Sequence, residues 1–442
     1  MSEGSDRPAG RRLEPAAPGA RVTPLELFYD LVFVFAFLNV TGVTAEFLGP
    51  SALLKTLLVL PLLWFGWTSF AALGNVIRAD QGVMPLFGFA TMAIIFVAVV
   101  TLPEAFADEP SGLPGDLVFA SCYFLVRALQ VLAFWYAVRG DRELQRRWRA
   151  LAVPVLISVT LLIVAALVPQ RLFHGTAEFA GRAGLWVLAI GIEYGASALV
   201  RTKDTGIPLV SAGHWAERHA QIILIAFGES VISLGTGPKL RSGLPLTWSV
   251  ITASVLGIAV IAALWFAYFD SLAIAAERAL HQSRGAARIA LARDAYTYLH
   301  LPMIAGIILF STGLNRVLTN IADPVVPSTR DSLGGIDLYV LYGGVILYLL
   351  ALLGFQFRTV GRVDGFQLAA MLLLAALIPV ADRLSAFGSL ALLVLVAVGL
   401  VIVMSVWARQ PRAKLRREKL EEQRALEAEE TEWRRRHLRR DR

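Results

Sequence analysis

The 442-residue chain has a single cysteine, Cys122, and little charge. Asp, Glu, Lys and Arg make up 17% of it, against about a quarter in soluble domains. One cysteine excludes an intrachain disulfide framework and a cysteine-based metal site. The scarcity of charge excludes an ordinary soluble domain. A Walker-type phosphate loop, a dinucleotide fingerprint, a Gly-x-Ser-x-Gly elbow and a zinc-protease motif are also missing. No nucleophile, base and orienter stand in a recognisable pattern, so neither an enzyme nor a resident cofactor or metal is expected. Residues 1–23 are rich in Pro, Gly, Ala and Arg and lack an apolar run. They read as a disordered arm and not as a signal peptide.

Apolar sequence is what the chain has in abundance. The mean hydropathy is +0.62 and 56% of residues are hydrophobic. A helix rising about 1.5 Å per residue needs about 20 mainly apolar residues to cross a bilayer core. Twelve such stretches are expected, at 24–46, 51–73, 83–104, 115–138, 150–169, 177–200, 214–236, 247–275, 293–317, 333–355, 364–382 and 386–408. The expected fold class is therefore an all-α polytopic membrane protein. Placing the N-terminus inside puts 31 of the 41 Lys and Arg on the cytoplasmic side, thirteen of them from Arg409 onward, and eight outside. Cytoplasmic loops are enriched in these residues, so both termini are expected in the cytoplasm. The net charge of +7 is a topology signal and no nucleic-acid partner is expected.

The organisation then reads as an arm (1–23), a first membrane half (24–200), a second (214–408) and a charged tail (409–442). Leu63-Trp64-Phe65 is echoed by Leu264-Trp265-Phe266, and Arg78 by Arg278, as two six-helix repeats of one orientation would have it. The tail alternates Glu and Arg at helical spacing, as in Arg417 and Glu421, and suits a helix near anionic headgroups or a surface for a cytoplasmic partner of 412–442.

Ionisable groups inside spans cost at least about 2.5–3.5 kcal/mol at the helix centre and usually mark function. The candidates for solute or proton binding are Glu26, Asp30, Arg127, Glu193, Glu217, Arg218, His219, Glu229, Asp270 and His300. Asp30, Glu193, Glu217, Arg218, His219, Asp270 and His300 share a depth in the cytoplasmic half. Arg127 falls near mid-span and needs a carboxylate; Glu229 is the expected partner. Each has a plainer reading: Glu26 as a helix cap, Arg127–Glu229 as a structural pair, Glu217 and Arg218 as interfacial side chains, His300 as a packing histidine.

Three segments carry a family resemblance. Leu25-Glu26-Leu27-Phe28-Tyr29-Asp30-Leu31-Val32-Phe33-Val34-Phe35 is the first. His214-Trp215-Ala216-Glu217-Arg218-His219 with Phe227-Gly228-Glu229-Ser230 is the second. Arg293-Asp294-Ala295-Tyr296 with Tyr298-Leu299-His300-Leu301-Pro302 is the third. Together they resemble the bacterial low-temperature-requirement A (LtrA) family, over roughly 22–405. Ala220 stands where that family often has Gly, and Tyr29 where Phe is commoner. The resemblance implies an integral membrane protein linked by name to growth in the cold, and it implies no substrate. From the residues, the leading expectation is a proton- or ion-coupled secondary transporter of a small solute. In it Asp30, Glu217 and His300 exchange protons, and Arg127 and Arg218 hold an anionic group. The alternative is a stress-response sensor or scaffold working through the tail.

Overall fold

The computed structural model describes residues 21–104, 114–139, 142–199, 209–242, 247–322 and 333–407, together with Arg417, Glu418, Glu421 and Arg424. Among these residues the chain is helical and contains no strand. The helices are α1 (Pro24–Glu46), α2 (Pro50–Val76), α3 (Met84–Val100), α4 (Gly115–Val138), α5 (Arg142–Leu167), the short α6 (Pro169–Leu172) and α7 (Thr176–Leu199). They continue with α8 (Ala212–Ser242), α9 (Trp248–Phe269), α10 (Leu272–Gln282), α11 (Gly285–Leu291), α12 (Leu299–Ala322), α13 (Gly335–Val360), α14 (Gly365–Ala381) and α15 (Ala386–Trp407). Residues 1–20 of the arm and nearly all of the tail lie outside the described residues.

Local chemistry sets the boundaries. Thr23 and Glu26 form a reciprocal capping box at the start of α1, with Pro24 in its first turn. Thr247 caps α9, and Asp364 caps α14 through the amides of Phe366 and Gln367. Gly361, at φ 73°, takes the left-handed conformation that ends α13.

Eight helical stretches are long and apolar enough to cross a membrane: α1, α2, α4, α13, α15, Trp148–Leu172, Trp248–Gln282 and Gly285–Ala322. The helices α3 and α14 are as apolar but only 17 residues each. The remaining long helices, α7 and α8, carry several of the buried charges. Two expected spans are modified. The stretch 247–275 is interrupted at Asp270–Ser271 between α9 and α10, and 293–317 begins with a π-helical turn, Ala292–Tyr298, leading into α12. Outward faces are oily, as in Leu86, Leu372 and Leu395. Trp248 and Trp407, 83% and 75% exposed, stand at the start of α9 and the end of α15, where interfacial aromatics anchor a bundle.

The helices of each half follow one another in the same spatial order. In the first half α1 packs on α3, α3 on α4, α4 on α5, α5 on α7, α7 on α2 and α2 back on α1. In the second, α8 packs on α12, α12 on α13, α13 on α14, α14 on α15, α15 on α9 and α9 back on α8. Both are rings read as first, third, fourth, fifth, sixth and second long helix. The rings meet where α1 and α2 lie against α8 and α12. The tripeptide echo does not share an environment: Trp64 is buried at this junction, whereas Trp265 is 41% exposed.

The tightest seam joins α12 and α13. A Cβ on Gly306 would fall 2.6 Å from the Tyr348 amide nitrogen, and one on Gly313 2.6 Å from Leu341 Cα. One on Gly344 would overlap the Phe310 amide nitrogen. Close approach of backbones through small residues replaces the hydrophobic driving force that lipid removes.

Candidate functional site

The charged first turns of α1 and α8 face each other across the ring junction. Arg218 is fully buried and grips Asp30 with two bonds, Nη1 to Oδ2 at 2.7 Å and Nη2 to Oδ1 at 2.9 Å. Trp67 of α2 donates its indole N–H to the same Oδ1 at 2.8 Å, and its ring lies 5.3 Å from the guanidinium carbon. Arg218 Nη1 also donates to the Glu26 carbonyl at 3.0 Å, and Nε lies 3.9 Å from Glu26 Oε1. A bidentate guanidinium–carboxylate pair with an indole donor is among the stronger buried arrangements.

Glu26 has two jobs. Its Oε2 accepts from the Thr23 amide and hydroxyl, closing the cap, while Oε1 meets His214 Nε2 at 2.9 Å. Asn75 Nδ2 lies 3.2 Å from His214 Nδ1 and 2.7 Å from the Ser211 carbonyl. With Asn75 donating to Nδ1, the hydrogen of His214 sits on Nε2 and points at Glu26. Asn75 Oδ1 accepts from the Val210 amide at 2.8 Å, tying the end of α2 to the start of α8. Gly74 makes room for this group, since a Cβ there would overlap Glu26 Oε1.

One turn deeper, His219 and His300 stand edge to face with ring centres 5.1 Å apart, both fully buried. His219 Nδ1 bonds the Trp215 carbonyl at 2.8 Å, and its Nε2 has no hydrogen-bond partner among the described residues. His300 Nδ1 bonds the Ala295 carbonyl five residues back, and the Tyr268 hydroxyl lies 3.0 Å from Nε2. The π turn supplies the other carbonyls here: Thr297 accepts from Trp64 at 2.8 Å and Ala292 from Trp215 at 3.4 Å. Widened turns of this kind free backbone groups and recur at functional sites.

A second charged pair sits inside the first ring. Arg127 Nη1 on α4 donates to Ser69 Oγ at 2.5 Å, Gln130 Oε1 at 2.8 Å and the Phe65 carbonyl at 3.3 Å. Its Nε lies 3.6 Å from Glu193 Oε1 on α7, and Tyr123 donates to Glu193 Oε2 at 3.2 Å. This corrects the expected Arg127–Glu229 pair. Glu229 faces α12 instead, where the Ser311 hydroxyl donates to its Oε1 at 3.2 Å. Depth along a helix made the two look matched, but Arg127 points into its own ring.

Beside Arg127 and Glu193 lies a cavity of about 230 Å³ between α2, α4, α5 and α7, closed at one edge by Trp215 and Thr297. The helix α2 separates it from the ring junction. Phe65, Thr68, Ser69 and Ala72 face the cavity, while Trp64 and Trp67 face the histidines and Asp30.

Of the ten candidates, the structure brings together Glu26, Asp30, Arg218, His219 and His300. It places Arg127 with Glu193, apart from them. Glu217 is half-buried and accepts from the Val22 amide at 3.4 Å, Asp270 is buried at the end of α9, and Glu229 stands about three turns beyond Arg218 along the same face of α8. Sequence reasoning missed His214 and the neutral partners Asn75, Trp67, Ser69 and Gln130. Gln130 was findable: it lies three residues after Arg127, on the same helical face.

A family model described as bacterial low temperature requirement A protein (LtrA) matches residues 21–403. The chain belongs to the LtrA family. The three segments that carry the LtrA resemblance lie on α1, α8 and the π turn with α12, and they converge at the ring junction. The uncharacterized protein RA0937 of Rhizobium meliloti (strain 1021) is similar, 28% identical over 305 residues, covering 65% of this chain and 67% of the relative. No solved structure matches.

Proposed function

We propose that this LtrA protein is a proton-coupled secondary transporter of a small solute, spanning the bacterial plasma membrane twelve times as two six-helix repeats with cytoplasmic termini. The shared ring order of the two halves supports the repeats. The observation that carries the function is α2, one helix with the Arg127–Glu193 cavity on one face and the Asp30–Arg218 pair on the other. The cavity lies toward the ends of α2, α4 and α7 and the starts of α5 and α8, which the positive residues place inside. It is then an inward-facing solute site. In this reading solute engaging Arg127 displaces α2, Trp67 moves with it, and Asp30 exchanges its ion pair with Arg218 for a proton. No catalytic step is involved. Lipid is the only other partner required.

The test is pH-gradient dissipation in proteoliposomes supplied with mixtures of small solutes. Solute-dependent proton flux in the wild type, lost in Asp30→Asn and in Arg127→Gln, is expected. Proton movement that ignores both substitutions refutes the proposal.

One contact favours a second reading, a membrane scaffold. Arg278 of α10 holds Glu418 of the tail at 2.6 Å, docking the tail on the face expected to be cytoplasmic. Full solute flux after removal of 412–442 counts against it.

A further inference from the structure

The cavity beside α2 has a charge balance that selects its occupant. Its polar end carries one guanidinium and one carboxylate, Arg127 and Glu193, both buried. They are 3.6 Å apart, beyond the roughly 2.7–3.2 Å of a good N–H to oxygen bond. Among the described residues Arg127 Nε and Glu193 Oε1 have no hydrogen-bond partner, and none of the bonds Arg127 makes there uses Nη2. The pair is thus incompletely made: two donors on one side and one acceptor on the other await a partner. Such buried groups are costly unless something fills them.

The rest of the wall is mostly apolar, with the aromatic rings of Phe65, Phe134, Trp148 and Trp215 beside the polar Thr68, Ser69, Gln130 and Thr297. At about 230 Å³ the space is smaller than the roughly 300–1,000 Å³ of pockets that take drug-sized ligands. An anion placed here would sit against Glu193, and a cation against Arg127. A molecule carrying both charged groups on one carbon satisfies both and leaves the site neutral.

We infer that this cavity binds a small zwitterion, an α-amino acid with an apolar or aromatic side chain. Its carboxylate bonds Arg127 Nε and Nη2, its ammonium bonds Glu193 Oε1, and its side chain packs among the aromatic residues. Ser69 and Gln130 hold Nη1 and fix the fork of the guanidinium for the carboxylate. The inference rests on the cavity being the solute site of the transporter proposed above, but it is read by binding alone.

The experiment is calorimetric titration of the full chain in lipid nanodiscs at mildly acidic pH with three probes. L-phenylalanine is the zwitterion, phenylalaninamide the matched cation and N-acetylphenylalanine the matched anion. Wild type is expected to bind phenylalanine at least about tenfold more tightly than either analogue, the loss that follows from removing a hydrogen bond between charged groups. Glu193→Gln leaves Arg127 as the local charge and is expected to shift preference toward N-acetylphenylalanine. An anion or cation that binds wild type as well as the zwitterion overturns the inference, and so does no binding of phenylalanine to folded protein. The analogue series needs no variant, so a poorly folding Glu193→Gln does not spoil it. Phenylalanine that binds with this selectivity but shows no counterflow in proteoliposomes refutes the transporter and leaves the binding site standing.

Discussion

Replacing Asp30 by Asn strands a buried cation, and the structure sets how much that costs. Asp30 accepts two bonds from Arg218 and one from Trp67. Arg218 is fully buried; its remaining acceptor is the Glu26 carbonyl at 3.0 Å, and its Nε lies 3.9 Å from Glu26 Oε1, an ion-pair distance without a hydrogen bond. Asparagine can still accept through one oxygen, so geometry is partly kept while the countercharge is lost. Removing one member of a buried pair costs about 3–5 kcal/mol. The unfolded chain in a bilayer also finds partners, which pulls such values down, so about 3 kcal/mol is expected. The double variant Asp30→Asn with Arg218→Gln removes the stranded charge and should recover about 2 kcal/mol of it as a coupling energy. The assay is reversible denaturation in mixed micelles followed by tryptophan fluorescence. A loss under about 1 kcal/mol for Asp30→Asn, with the double variant simply additive, refutes the claim that this ion pair holds the two rings together.

Three further outcomes follow from single positions. Gly344→Ala places a methyl against the Phe310 backbone, so α12 and α13 must part. A loss of about 3 kcal/mol, the upper range for overpacking, is expected in the same denaturation assay. Gly74→Ala displaces the flexible end of Glu26 and should cost about 1 kcal/mol by breaking its contact with His214; infrared difference spectra of the carboxylate would show the change. Glu229 receives a hydroxyl bond from Ser311 and has no ion pair among the described residues, so Glu229→Gln should leave stability within about 1 kcal/mol of wild type. Glu229→Lys, which buries a lone cation, should abolish accumulation of folded protein, as size-exclusion profiles of the purified variants would report.

Much of the fold was legible because lipid forces long apolar runs to be helical, and each of the twelve expected stretches contains or overlaps a helix. The starts expected at 24, 247 and 364 fall within a residue of α1, α9 and α14, which Thr23, Thr247 and Asp364 cap. Depth was legible only in part: of seven residues expected at one level, Asp30, Arg218, His219 and His300 lie together at the ring junction, while Glu193 pairs with Arg127. Azimuth was not. Which way Arg127 or Glu229 points depends on the rotation of α4 and α8 against their neighbours, and a one-dimensional pattern of polar residues at a given depth does not contain it. Neutral partners were harder still, because Asn75 and Ser69 look like ordinary span residues until the helix opposite them is known. His214 was not among the candidates for the same reason.

The seam between α12 and α13 has mechanical meaning. Side chains that interdigitate can change rotamer and let two helices slide; backbones in direct contact through Gly306, Gly313 and Gly344 cannot. These two helices are therefore held as one beam, and in the transport cycle proposed above they would move as a unit. By contrast, α1 and α2 meet α8 through side chains, as in Asp30–Arg218 and Trp67–His219. In that cycle the seam would be the fixed part, and the ring junction the part that changes its contacts.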